Sequence, residues 1–315
     1  MTLTIERPST KPATSRIDKR APWEEPPTTV GQAAKGLTLG GVLAVVIVPL
    51  WIIVVTSLST PAAINRAGGL VIWPDGLTLE PYREMLGDPT VRTALLVSLG
   101  ITLVGTAVSM VVSVLCAYGL SRPRSLGHRV ILILLVVTMF VSGGLIPTFL
   151  VVTDLGGYDQ WWSLILPSAV SVFNILVLRS FYSSTSTDLI DAARMDGAGE
   201  WRILWSIVLP TSRAVTAVIT LFYAVGYWNA FFNVMLYLPT DAQKWPLQYV
   251  LLTFVNRGNG MPGSVNAGFG TGQAQTAPLS LQMAVVVLTL VPLLIVYPFM
   301  QKHFRTGVLT GAIKG

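Results

Sequence analysis

Uncharged apolar runs dominate the chain, and the polar residues collect between them. Six runs approach or exceed the ~20 residues that a helix needs to cross a bilayer. They are Leu37–Leu58, Thr93–Leu120, Val130–Val152, Trp162–Leu178, Ala214–Leu238 and Leu279–Met300. The pattern predicts an all-α, polytopic membrane protein with six transmembrane helices. The fourth run is the shortest, and the second is long enough to tilt or to extend past the bilayer. Residues 1–35 read as an N-terminal tail without stable structure, 36–303 as the membrane domain and 304–315 as a C-terminal tail. Between the runs, residues 59–92 carry turn punctuation at Pro61, Gly68-Gly69 and Pro74-Asp75-Gly76. Residues 239–278 read as a long irregular loop, because "RGNGMPGSVNAGFGTGQAQ" has almost no periodicity.

Composition agrees with the pattern. Charged residues make up 11% of the 315, where a soluble domain of this length carries about a quarter. A single cysteine, Cys116, excludes an internal disulfide and a cysteine-rich zinc site. The polar, proline-rich start is unlike a secretory signal, which opens on a short basic region and an apolar stretch.

The distribution of charge sets the expected orientation. With the N-terminus in the cytoplasm, the inner segments are the N-tail, Ser121–Arg129, Arg179–Arg213 and the C-tail. They hold 16 of the 21 Lys and Arg residues, against five in the outer loops. By the positive-inside rule both termini face the cytoplasm. The net charge of +6 is then a topological signature rather than a nucleic-acid footprint.

One inner segment breaks the apolar pattern. From Asp188 to Arg202 there are six charged side chains: Asp188, Asp191, Arg194, Asp196, Glu200 and Arg202. Inserting them at the bilayer centre would cost roughly 15–20 kcal/mol, so the segment lies outside the hydrocarbon. Asp188 can cap a helix start, with Asp191 three residues on in the place of a capping-box acid. Leu189, Ala192, Ala193 and Asp196 fall on one helical face with small apolar groups. Gly197 suits the left-handed residue after a helix end. A second helical run starts near Gly199–Glu200, and Pro210, which lacks an N–H, kinks its approach to the membrane. The segment reads as a helix–turn–helix on the cytoplasmic surface. Its alternatives are a solvated loop and a helix that docks in a partner's groove.

Motifs for covalent chemistry fail. Gly258-Asn-Gly260-Met-Pro-Gly263 matches G-x-G-x-x-G but has Pro262 where a helix should begin, and no P-loop occurs. His128 and His303 both flank runs beside basic residues and form no metal pair. No catalytic residue, metal or cofactor is expected.

The spacing of the charged segment matches a known pattern. Asp191-Ala192-Ala193, three residues, Gly197, nine residues, then Ile207-Val208-Leu209-Pro210 resembles the EAA motif of ABC importer permeases, E-A-A-x3-G-x9-I-x-L-P. Asp stands where the family has Glu. "FVSGGLIPTFL" (140–150), "LRSFYSSTSTDLIDAARMDGA" (178–198), "YWNAFFNVMLYL" (227–238) and "YPFMQKHFRTGVLTGAIKG" (297–315) are similar to the maltose-type (MalG-like) carbohydrate-uptake permeases, above all their oligosaccharide branch. The first 35 residues carry no such likeness.

The resemblance implies a type I importer (MetI-like) core that forms half of a pathway for a sugar or oligosaccharide. It implies partners: a second, different permease, two ATPase subunits and an extracellular or periplasmic solute-binding protein. Asp191, Ala192, Ala193, Asp196 and Gly197 would seat a coupling helix in the ATPase, with Asp191 meeting a basic group there. Ile207, Leu209 and Pro210 would anchor that helix to the fifth span. The tail residues Gly311, Ala312, Ile313, Lys314 and Gly315 would also reach the ATPase, and the loop 239–278 the binding protein. Amides and an aromatic within the spans are candidates for the sugar path: Asn174, Trp228, Asn229, Asn233 and Gln282. Their alternative is interhelical hydrogen bonding. A non-sugar solute is the nearest rival reading. An ion-coupled transporter is a weaker rival, because these spans hold no charge.

Overall fold

A computed structural model describes residues 28–122, 127–257 and 279–312, with residues 187, 256, 257 and 299–312 described by backbone alone. Among the described residues the secondary structure is helical, apart from one isolated bridge between Ser59 and Leu77. Residues Met1–Pro49 and Leu50–Gly315 form two compact units.

In the first unit, helix α1 (Thr29–Ser57, which runs on into the second) starts where the Thr28 hydroxyl accepts the Gly31 N–H at 3.2 Å. The helix therefore begins before residue 37, and the last residues of the expected N-terminal tail belong to it.

The second unit carries the packed core. Two short helices, α2 (Pro61–Ala67) and α3 (Glu80–Gly87), occupy the loop after α1. Thr60 caps α2, Pro61 opens it and Gly68, at φ 70°, ends it. Helix α4 (Pro89–Ser121) is a long apolar helix of this unit, capped by the Asp88 carboxylate on the Thr90 N–H at 2.7 Å.

Three of the six expected spans are not single straight helices. Helices α5 (His128–Phe140) and α6 (Leu145–Asp154) meet at 115°. Ser142-Gly143-Gly144 make that break, with Gly144 at φ 82°. Helix α7 (Trp162–Ile165), the 3-10 turn Leu166–Ser168 and α8 (Val172–Ser183) form a second broken span, bent by 51°. Pro167 accounts for the 3-10 turn, and the Ser171 hydroxyl caps α8. Helix α12 (Arg213–Trp228) ends at Asn229, and a separate short helix, α13 (Phe232–Tyr237), follows. The expected continuous fifth span over 214–238 is thus shorter. With each bent pair taken as one span, the described residues supply six crossings by length and composition.

The described part of the loop 239–278, residues 239–257, contains helical elements, against its irregular reading. A 3-10 turn at Ala242–Lys244 leads to α14 (Leu247–Arg257). Leu247, Val250 and Phe254 are buried along one face of α14, an i, i+3, i+7 stripe that the glycine-rich sequence after it overshadows. Residues 258–278, including the G-x-G-x-x-G match, lie outside the described residues. Helix α15 (Leu279–Ala312) runs twelve residues past the expected end of the sixth span.

Packing centres on α4. Its inner face carries Ala94, Ser98, Gly105, Ser109, Ser113 and Ala117, all small, and α12 lies against it. The Tyr227 hydroxyl pairs with Ser109 Oγ at 2.8 Å and donates to the Ile165 carbonyl at 3.0 Å. One turn earlier, Tyr223 pairs with Ser113 Oγ at 2.7 Å and accepts the Ser171 N–H at 3.1 Å. Small residues let backbones approach, and hydrogen bonds then hold helices whose surroundings give no hydrophobic gain. A Cβ on Gly105 would lie 2.8 Å from the Tyr227 ring.

Two substitutions test this contact. Tyr227→Phe keeps the ring and removes its hydrogen bonds, and costs about 0.6–2 kcal/mol. Gly105→Val must displace the ring as well, and costs more. Thermal unfolding of the purified complex should rank wild type, Tyr227→Phe and Gly105→Val in falling order of Tm. Equal Tm values for all three would show that the contact contributes nothing.

Candidate functional site

The charged segment folds as helix α9 (Thr187–Met195), a tight turn, and helix α10 (Glu200–Ile203). The cap of α9 lies two residues before the expected one. Ser186 occupies the capping position, and Asp188 instead lies in the first turn, where its charge complements the helix dipole. Arg194 complements the other end. Gly197 adopts φ 78°, as its position requires. Its N–H reaches the Arg194 carbonyl at 3.0 Å, and the Ala198 N–H reaches the Ala193 carbonyl at 2.9 Å. These two bonds are a Schellman motif, which satisfies the last carbonyls of α9 and reverses the chain.

One face of α9 is seated on the membrane core. Ile190 is buried, and Ala193 and Ala198 pack partly against that core. Ala193 therefore belongs to the inner face rather than to the expected outer one. The outer face presents Leu189, Ala192, Met195 and the carboxylates of Asp188, Asp191 and Asp196, all exposed. Met195 is 88% exposed, a large apolar group beside three carboxylates. Neither Leu189 nor Met195 is packed in this chain, which is what a docking helix requires.

After α10 the helix widens into a π turn, Leu204–Val208, before α11 (Leu209–Thr211). The Leu209 N–H bonds the Leu204 carbonyl, five residues back. The wide turn makes room for Pro210, which has no N–H to return to the preceding turn. Pro210 thus sits inside the approach helix, and the 87° bend into α12 follows at Ser212. Ile207, Leu209 and Pro210 are half-buried on this approach, beside buried Ile203, Leu204 and Val208.

A polar network, which the spacing of residues did not reveal, ties the site to α4. Arg194 Nη2 donates to Glu200 Oε1 at 2.8 Å, and its Nη1 lies 3.5 Å from Asp191 Oδ1. The Tyr118 hydroxyl, in the last turn of α4, donates to Glu200 Oε2. The Arg122 guanidinium stacks 4.8 Å from the Tyr118 ring centre. Asp191 therefore faces a cation of its own helix. Tyr118 and Glu200 are 82 residues apart in sequence, beyond the reach of any local signal.

The span residues scatter. Trp228 is buried, and its indole N–H donates to the Thr289 carbonyl of α15 at 3.1 Å, which ties the two helices. Asn229 ends α12, with its amide turned back on the Val225 carbonyl at 2.9 Å. Asn233 lies on α13, so the break separates two amides expected one turn apart on one helix. Asn174 is buried on α8, and Gln282 is half-buried on α15. Gly311 and Ala312 are the last residues of α15. Ile313, Lys314 and Gly315 lie outside the described residues.

The Tyr118 hydroxyl and the Arg194 guanidinium, opposed by slight burial, hold the Glu200 carboxyl below the ordinary carboxylate range. A carboxyl whose pKa is lower folded than unfolded adds stability above its unfolded pKa. That contribution is lost as pH falls through the folded value. Infrared titration of the carboxylate bands, with Glu200→Gln as the difference reference, should place Glu200 below a free glutamate. Tyr118→Phe should move the midpoint upward. An unchanged midpoint in that variant would remove Tyr118 as the cause.

Residues 109–310 match the family described as the binding-protein-dependent transport system inner membrane component. The polygalacturonan/rhamnogalacturonan transport system permease protein YtcP of Bacillus subtilis is 43% identical over 78% of this chain and 85% of its own. Protein LplC of the same organism is 39% identical over 89% and 93%. Among solved structures, a bacterial ABC transporter involved in import of the acidic polysaccharide alginate superposes with a TM-score of 0.79. It is 29% identical and covers 90% of this chain and all of the compared one. The family match covers well over half of the sequence and includes the whole α9–α10 segment, so the chain belongs to the binding-protein-dependent transport system inner membrane components, the multi-pass permeases of such transporters.

Proposed function

We propose that this chain is one of two permease subunits of an ATP-driven importer and forms half of its pathway for an oligosaccharide. The observation that carries this reading is the α9–turn–α10 segment. It combines the Asp191-Ala192-Ala193…Gly197 spacing, a left-handed Gly197 and an outer face with unpacked Leu189 and Met195. That face would seat in an ATPase subunit through Asp191, Ala192, Asp196 and the turn at Gly197, with Ala193 beneath them on the core. Ile207, Leu209 and Pro210 would fix the approach helix to α12.

The assembly would comprise this chain, a second and different permease, two ATPase subunits and an extracellular binding protein. ATP hydrolysis falls to the ATPase subunits, and this chain performs no covalent chemistry. Both termini lie in the cytoplasm, in keeping with the bias of Lys and Arg toward the inner segments. The substrate class rests on relatives: YtcP is named for polygalacturonan and rhamnogalacturonan, and the structural relative for alginate import. Asn174, Asn229, Asn233 and Gln282 are the amides on hand to bond sugar hydroxyls along the path. The C-terminal residues 311–315 would extend the contact with the ATPase.

Deleting the gene in its own bacterium should abolish uptake of at least one labelled oligosaccharide from a panel that includes oligogalacturonides and alginate oligomers. The wild-type gene should restore uptake. Gly197→Val should not, while leaving the protein in the membrane, because a β-branched residue is strained at φ 78° even though the space there is open. Loss of a peptide or phosphate ester in place of every sugar would overturn the substrate class. Wild-type uptake in Gly197→Val would overturn the coupling assignment.

A further inference from the structure

The approach helix meets α12 at 87°, across Ser212. A push on α9 delivered through that corner alone could be absorbed as bending. A second connection closes the corner. Glu200 is the first residue of α10, and its two carboxylate oxygens point to different elements. Oε1 accepts from Arg194 in the last turn of α9 at 2.8 Å, and Oε2 accepts from Tyr118 in the last turn of α4. The end of α4 is held from another side too, where Arg179 Nε of α8 donates to the Leu120 carbonyl at 2.8 Å. Helix α4 is in turn locked to α12 by the Tyr223–Ser113 and Tyr227–Ser109 pairs.

We propose that Glu200 is the positioning residue through which movement of α9 and α10 reaches α4, an inference that rests on the coupling role proposed above. The elements α10, α4 and α12 form a closed triangle. One side is the backbone through Ser212, the second is Glu200–Tyr118, and the third is the tyrosine–serine pairs. Such a triangle cannot hinge at Ser212 unless a side breaks. A single exposed ion pair would hold little. Glu200 instead joins two charge-assisted bonds in one carboxylate, and Arg122 stacks on the Tyr118 ring beside them.

Cys116, the sole cysteine, is exposed on α4 just before Tyr118, and Arg202 is exposed on α10. The assembled transporter, with its other subunits free of cysteine, is spin-labelled at Cys116 and at Arg202→Cys. Distances are read without nucleotide and after trapping with ATP and vanadate. The wild-type chain should show one distance population, unshifted by trapping. Glu200→Gln and Tyr118→Phe should each add a second population on trapping, and the double variant should add no more than either alone, because both sever one link. A single unshifted population in both variants would overturn the relay, as would a shift in the wild type. If the chain recruits no ATPase subunit at all, the coupling reading itself fails; recruitment with undisturbed variants would sink the relay alone.

Discussion

The fold depends on how closely α12 can approach α4. Gly105 leaves no room for a Cβ beneath the Tyr227 ring, and serines at 109 and 113 pair with two tyrosine hydroxyls one turn apart. In an apolar surround each such bond is worth about a kilocalorie per mole or less, so register comes from the pair acting together. The same hydroxyls reach the carbonyl of Ile165 and the N–H of Ser171, at the two ends of the break between α7 and α8. The lock therefore also satisfies backbone groups that a broken span frees within the membrane.

From that lock outward, the architecture explains how a small charged segment could act on a large apolar body. The Schellman turn at Gly197 sets α10 against α9, and the π turn at Leu204–Val208 carries Pro210 without losing the helix. Buried Ile190, Ile203 and Leu204 hold the segment onto the core. Its outer face stays unpacked, with Met195 and the three aspartates exposed. In the function proposed above, this face is the one that meets the ATPase subunit, and the exposed Met195 and aspartates are the surface it would grip.

Much of this was legible in the sequence. The six uncharged runs agree with the up to six crossings that the described residues allow when each bent pair is one span, because hydropathy reports burial in lipid directly. Gly197 was legible because only a residue free of a Cβ sits easily at positive φ. The breaks were not legible: Ser142-Gly143-Gly144 is uncharged, so the run over 130–152 looks continuous to any measure of polarity. The end of α12 at Asn229 was hidden for the same reason. Periodicity groups Ala193 with Ala192 on one face but gives no direction, and the resemblance points both at the ATPase; the burial of Ile190 and the half-buried Ala193 turn that residue toward the core instead. The site's network was furthest from view. Tyr118 with Glu200, and Tyr227 with Ser109, join residues more than eighty positions apart, and single-sequence patterns carry no trace of such pairs.

The central claim is that the outer face of α9 is the contact through which an ATPase subunit moves this chain. Photo-crosslinking in intact cells tests it most directly, with a photoreactive amino acid in place of Ala192 in the full transporter. The account predicts one dominant adduct, to the ATPase subunit, whose yield falls when Gly197→Val is added. A probe at that position that labels only lipid, or only another membrane subunit, would contradict it.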